Sequence, residues 1–199
     1  MYSSTKIIEL GSCAFRQPKA VSHCRFIHGY RLTAKFWFNA TTLDDNNWVV
    51  DFGGLKKLKS TLQNQFDHTL CVSADDPYLH AFEKLKDMGA VDLRVMNGVG
   101  IEMFAEWCHG QADAYVNELT NGRCRCTKVE LFEHENNSAI YERGLTSDTN
   151  SKTEHKQQPQ QVKTQTEQIK PDTAVSVNSN ERKLKNKWVD EKSTNVWGL

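Results

Sequence analysis

Long apolar runs are missing from this chain, and so is an excess of charge of either sign. No stretch approaches the roughly 20 consecutive apolar residues that a membrane-spanning helix needs. Residues 1–10 carry no apolar segment behind a basic one, so neither a membrane span nor a secretory leader is expected and the chain reads as cytoplasmic. Lys plus Arg number 25 and Asp plus Glu number 25, a formal net charge of 0, which leaves no global field to draw in nucleic acid or an anionic membrane. The six cysteines fall at uneven spacings and form no disulfide framework, which fits free thiols in a reducing compartment. A full nucleotide-binding glycine fingerprint is also lacking: Asn97-Gly98-Val99-Gly100 precedes a helix-like segment but stops short of it.

What is present divides into two parts. The hydrophobic share of 38% is low for a chain that folds throughout, and the deficit is local. Residues 1–145 carry the apolar periodicity. Residues 146–199 are Ser, Thr, Gln, Asn, Lys and Glu around Gln157-Gln158-Pro159-Gln160-Gln161, the composition of a disordered polar tail. Near its end Trp188-Val189 and Trp197-Gly198-Leu199 flank a charged stretch, which leaves two readings open: stray apolar residues in a solvated tail, or a short docking segment.

In the first part, Leu32, Ala34, Phe36 and Phe38 alternate with Thr33, Lys35 and Trp37, a strand with one apolar face. Trp48-Val49-Val50-Asp51-Phe52 reads as a second strand after the polar turn at residues 44–47. Leu55, Leu58, Leu62 and Phe66 then recur at helical spacing, ending at Asp67-His68. A short helix on Leu79, Phe82 and Leu85 follows, then a longer one holding Met103, Phe104, Trp107, Tyr115 and Leu119. Cys124-Arg125-Cys126 leads into a strand at residues 128–132. The sum is an α+β domain with an antiparallel sheet backed by helices on one face.

Two clusters carry chemistry. Cys24 stands four residues before His28-Gly29, a thiol near an imidazole, suited to nucleophilic, acid/base or metal-binding work. In Asp67-His68 an Asp that accepts a hydrogen bond from one imidazole nitrogen fixes the tautomer and raises the basicity of the other. The bland alternatives are a buried structural Cys and a helix-terminal His.

The order Cys-x-x-x-His-Gly (Cys24 to Gly29), Asp-Phe-Gly-x-Leu-Lys (Asp51 to Lys56), Phe-Asp-His-Thr-Leu (Phe66 to Leu70) and Val-Glu-Leu-Phe-Glu (Val129 to Glu133) resembles the 6-pyruvoyltetrahydropterin synthase family, which includes the 6-carboxytetrahydropterin synthases of queuosine biosynthesis. The resemblance covers residues 5–143. It implies a tunnelling fold whose sheets join between subunits into a barrel, a homo-oligomer (trimer or hexamer) with the pterin site between copies. It also implies a lyase acting on 7,8-dihydroneopterin triphosphate, giving 6-carboxytetrahydropterin or, alternatively, 6-pyruvoyltetrahydropterin. By the same resemblance Cys24 is the general base, Asp67 and His68 relay a proton, and Glu133 accepts two hydrogen bonds from the pterin ring. Its two carboxylate oxygens suit two adjacent N–H donors.

The departures concern the metal. The family binds zinc through three His, one in Phe-x-x-x-His and two in His-x-His. Here His28 takes one place, Tyr30 stands at the second and Lys19 at the third, so zinc on His28 and Tyr30, with His23 a further donor, is an incomplete expectation. Lys19 as a cationic substitute is a second possibility. A non-catalytic pterin-binding protein and a zinc-independent aldolase or epimerase of dihydroneopterin are the other readings. At the turn before the long helix the family has Pro-Thr-x-Glu, of which only Glu102 is matched.

Overall fold

Two long strands dominate the structure, a computed structural model that describes residues 1–143; the expected tail lies outside these residues. Strand β1 (Tyr2–Phe15) and strand β2 (His28–Ala40) pair antiparallel along almost their whole length. The alternation in β2 decides its faces: Leu32, Ala34, Phe36, Phe38 and Ala40 are buried while the residues between them are not. Helix α1 (Lys56–Phe66) and strand β3 (Thr69–Ser73) follow. Then come α2 (Leu79–Asp87), β4 (Leu93–Met96), α3 (Ile101–Leu119), β5 (Cys124–His134) and β6 (Asn137–Glu142). The sheet order is β4-β3-β1-β2-β5-β6.

The α+β class and the helix-backed sheet hold, with two refinements. Strands β1, β2, β5 and β6 are antiparallel, but β3 joins β1 in parallel and β4 joins β3 in parallel, so the sheet is mixed. The helices are also not all on one face. Cys71 belongs with Phe15, Phe66 and Phe104 in the large core under α1 and α3. Its neighbours Leu70 and Val72 point the other way and pack with Phe82 of α2 and Leu93. All five residues of β3 are buried, as a strand covered on both faces requires.

The strand expected at residues 48–52 does not form, for a topological reason. Both edges of β2 are taken, one by β1 and the other by β5, so the chain leaving β2 finds no edge to pair with. It turns instead around Asp44, whose Oδ1 accepts the backbone N–H of Asn46 at 2.9 Å and of Trp48 at 2.8 Å. The apolar pair Val49 and Val50 is still buried, so the hydrophobic signal was real and only its backbone geometry differs. Asp51 Oδ1 then accepts from Gly53 N–H at 2.8 Å and sets up the start of α1.

Aromatic side chains fill the centre of the core. Phe104 of α3 is fully buried, 5.2 Å from the Phe15 ring and 5.1 Å from the Phe66 ring, joining α3 to β1 and α1. Truncation of such a side chain to Ala costs about 3–5 kcal/mol. On the other side of α3, Arg125 of β5 reaches Asp113 with two hydrogen bonds of 2.8 and 2.6 Å, and Asp113 Oδ1 also accepts from Cys126 N–H at 3.1 Å. One turn away, buried His109 packs 5.0 Å from the Tyr141 ring.

His109 and Asp113 set an acid limit on stability. Burial lowers the His109 pKa below its ordinary 6.5, outweighing the pull of Asp113. Burial opposes ionisation of Asp113 too, yet Arg125 holds it below 3.8. The unfolded chain takes up the His109 proton that the folded chain refuses, so stability is full above pH 6.5 and falls as pH drops through that value. Asp113 adds a further loss at lower pH. His109→Gln is expected to flatten the limb just below pH 6.5 in chemical denaturation curves, while a variant curve parallel to that of the unaltered protein would exclude the imidazole as its source.

Candidate active site

At the end of α1 the backbone brings a carboxylate and an imidazole together. Asp67 leaves the helix with ψ 123 while its N–H still reaches Gln63 O at 2.7 Å, and His68 adopts a left-handed φ of 58. A non-glycine residue in that region costs about 1–3 kcal/mol and persists only where its surroundings hold it there. They do: His68 N–H donates to Ser12 O at 2.7 Å, Asp67 Oδ1 accepts from Ser12 N–H at 3.1 Å, and His68 Nδ1 lies 2.9 Å from the same oxygen. The carboxylate thus keeps the proton on Nδ1 and leaves Nε2 as the free base, on a ring that is 86% exposed.

The partner strand makes room for this. Strand β1 shifts register between Glu9 and Gly11, where Gly11 has φ +103. A Cβ at Gly11 would lie 2.1 Å from Asp67 Oδ1, so the carboxylate occupies the space of the missing side chain. Beside His68 opens a cleft of ≈ 540 Å³ whose walls include Ala14, Ile27, Leu70 and Val91. Tyr30 is among its lining residues as well; Cys24 and Glu133 are not.

A second group gathers around the start of β2. Cys24 sits in a one-turn helix (His23–Arg25) whose position is fixed by Gln17 N–H donating to Cys24 O at 2.9 Å. It is the half-exposed member of a set of six whose other five thiols are buried, and burial pushes those of Cys124 and Cys126 up to about 11 and about 12. Cys24 is therefore the thiol that a substrate can reach. His28 Nδ1 lies 2.8 Å from Phe26 O; a carbonyl can only accept, so Nδ1 carries the proton and Nε2 the lone pair. Tyr30 packs between two imidazoles, 5.7 Å from His28 and 6.1 Å from His134. Its hydroxyl is held above its ordinary pKa by burial, then by the charges of Glu133 and Cys24, which places all three in one electrostatic neighbourhood. Glu133 is half-buried at a register shift of β5, between Phe132 and His134.

The structure thus assembles Asp67 with His68, and Tyr30 with His28, Cys24 and Glu133. No hydrogen bond joins the two groups among the described residues. Sequence reasoning missed Gly11 and Ser12, whose contribution is backbone shape, and the acidic turn Asp75-Asp76. Ser73 Oγ lies 2.5 Å from Asp75 Oδ1, and Lys19 Nζ lies 2.5 Å from Asp75 Oδ2.

Tetrahedral zinc needs three or four thiolate, imidazole or carboxylate donors converging at about 2.0–2.3 Å. Among the described residues no group of three or more His, Cys, Asp or Glu side chains is arranged to hold an ion. His28 offers one lone pair, Tyr30 a phenol kept protonated, and Lys19 an ammonium bound to Asp75. This donor set does not fit the metal.

A profile of 6-pyruvoyl tetrahydropterin synthase matches residues 9–144. The chain belongs to that family. Among solved structures, an uncharacterized protein of Wolinella succinogenes is similar with TM-score 0.61 at 18% identity, covering 72% of this chain and 98% of that one. The 6-pyruvoyl tetrahydropterin synthase of Plasmodium falciparum has TM-score 0.51 and 15% identity over 71% and 98%. That of Caenorhabditis elegans has TM-score 0.51 and 15% identity over 72% and 96%. At these identities the structures establish the shared tunnelling fold. No functionally curated protein matches the chain by sequence. Members of the family are lyase-type pterin synthases, and no helix among the described residues is long and apolar enough to cross a membrane.

Because one carboxylate fills the place of a side chain at Gly11, Gly11→Ala is expected to expel Asp67 from Ser12. The melting transition should fall by several degrees, equivalent to about 1–3 kcal/mol, and the His68 Nδ1–H proton, no longer held by the carboxylate, should exchange faster with solvent by NMR. An unaltered His68 Nδ1–H resonance in a folded variant would contradict the arrangement.

Proposed function

We propose that the protein is a lyase that converts 7,8-dihydroneopterin triphosphate to 6-carboxytetrahydropterin, the 6-carboxytetrahydropterin synthase reaction of queuosine biosynthesis. The observation that supports it best is the Asp67–His68 pair, a tautomer-fixed and exposed imidazole at the rim of a cleft, in a chain of the pterin synthase family. Cys24 takes a proton from the substrate side chain, and His68 returns or removes one on the opposite side with Asp67 steadying its charge. Glu133 holds the pterin ring by two parallel hydrogen bonds. Since Cys24 does not line the cleft beside His68 and no hydrogen bond joins the two among the described residues, a homo-oligomer, trimer or hexamer, completes the pocket by supplying one group from each of two copies.

The short interval between Phe15 and Cys24 favours the carboxy product over the pyruvoyl one. The Lys19 and Tyr30 departures favour a second reading, a pterin-binding protein without turnover. Incubation of the purified protein with 7,8-dihydroneopterin triphosphate, followed by mass spectrometry, separates these. A carboxytetrahydropterin that disappears with Cys24→Ala is the expected result, with a fall in rate of at least about 100-fold. A pyruvoyl product reassigns the branch. Unchanged substrate with folded, pterin-bound protein selects the second reading.

A further inference from the structure

Of the three metal positions, the one at Lys19 is committed to an ion pair with its surroundings. Just after β1, Arg16 lies 3.4 Å from Asp76 with both side chains buried, and its guanidinium sits 5.0 Å over the Tyr78 ring. Asp76 Oδ1 also accepts from Tyr78 N–H at 2.8 Å. Three residues on, Lys19 reaches Asp75, the neighbour of Asp76. Two ion pairs therefore join the segment at residues 16–19 to the turn that leaves β3. The exposed Lys19–Asp75 pair adds little by itself. The buried pair is different, because removing one partner strands a charge away from water. A metal ligand at residue 19 would tie this segment to His28; the ion pairs tie it to β3 instead.

Tyr30 shows the chemical counterpart. Its ring is held by Phe15 at 6.2 Å, His28 at 5.7 Å and His134 at 6.1 Å. Among the described residues its hydroxyl has no hydrogen-bond partner inside the protein. A phenol carries its proton at neutral pH and can donate it to an oxygen in a hydrogen bond.

We propose that this pterin site is metal-free by construction: the Arg16–Asp76 and Lys19–Asp75 pairs fix the segment after β1, and the Tyr30 hydroxyl, held between His28 and His134, donates a hydrogen bond to a side-chain oxygen of the bound pterin. The inference rests on the pterin reading above and adds the group that replaces the metal. The hydroxyl makes one directional contact where an ion would have made several.

The test counts zinc and measures neopterin binding on the full chain. After purification with added zinc and dialysis, elemental analysis is expected to find less than about 0.1 zinc per chain. Neopterin affinity, followed by fluorescence, should be unchanged by EDTA. Tyr30→Phe keeps the ring packing and should weaken neopterin about tenfold, the loss of one hydrogen bond. Lys19→His with Tyr30→His, which restores imidazoles at both places, should raise the zinc count toward one. One zinc per unaltered chain, or full neopterin affinity in Tyr30→Phe, overturns the proposal. Failure of dialysed and zinc-treated protein alike to bind neopterin overturns the pterin reading instead, and the zinc count still decides whether the site is metal-free.

Discussion

The carboxylate of Asp67 sits where a side chain at residue 11 would have been, and much of the fold is arranged around that substitution of one group for another. Gly11 lets β1 shift register, and the shift turns Ser12 N–H toward Asp67, the residue that caps α1. The hydrogen bond from Ser12 then stops the helix, sets the left-handed turn at His68 and starts β3 in parallel register beside β1. A strained backbone residue, a bulge and a helix end each cost free energy alone. Here each satisfies the polar group that another exposes, which is how the local strain persists.

The parallel placement of β3 has consequences beyond the dyad. A strand on the outer side of β1 is covered by α1 on one face and needs cover on the other, which α2 supplies through Phe82. It also carries the chain to Ser73, from which the acidic turn at residues 75–76 reaches back to Arg16 and Lys19. The two ends of β3 therefore fix two separate pieces of the site, the imidazole at its start and the segment after β1 at its finish.

Much of this was legible in the sequence and some was not, for physical reasons. The alternation in β2, the spacing of Leu58, Leu62 and Phe66 and the motif order were enough for the class, the first helix and the family, because side-chain periodicity reports burial directly. Burial alone does not distinguish a strand from a buried loop. Val49 and Val50 are apolar and internal, yet the neighbours of β2 were already chosen by β1 and β5, information held in pairings far away in the chain. The same holds for β3, whose five residues sit between two cores and show no alternation to read. Of the site, Asp67-His68 was readable as adjacent letters, but Gly11 contributes an absent atom and Asp76 a buried charge whose partner is 60 residues away.

What remains is why Arg16 and Asp76 can take over a task that coordination performs elsewhere. A metal fixes a loop only when three donors have converged and lost their protons, so its hold varies with metal supply and pH. An arginine is charged at every physiological pH, and the Asp76 oxygen it faces also accepts the Tyr78 backbone N–H, so one carboxylate oxygen ties the turn to the guanidinium. The hold is permanent, but it is purely structural: an ion pair buried against Tyr78 offers no open position to a substrate oxygen. Chemistry at such a site has to come from a separate group. Tyr30, between two imidazoles and in the electrostatic reach of Glu133 and Cys24, is the side chain so situated. Structural support and polar contact, which a single ion would combine, are thereby divided between the two sides of β1.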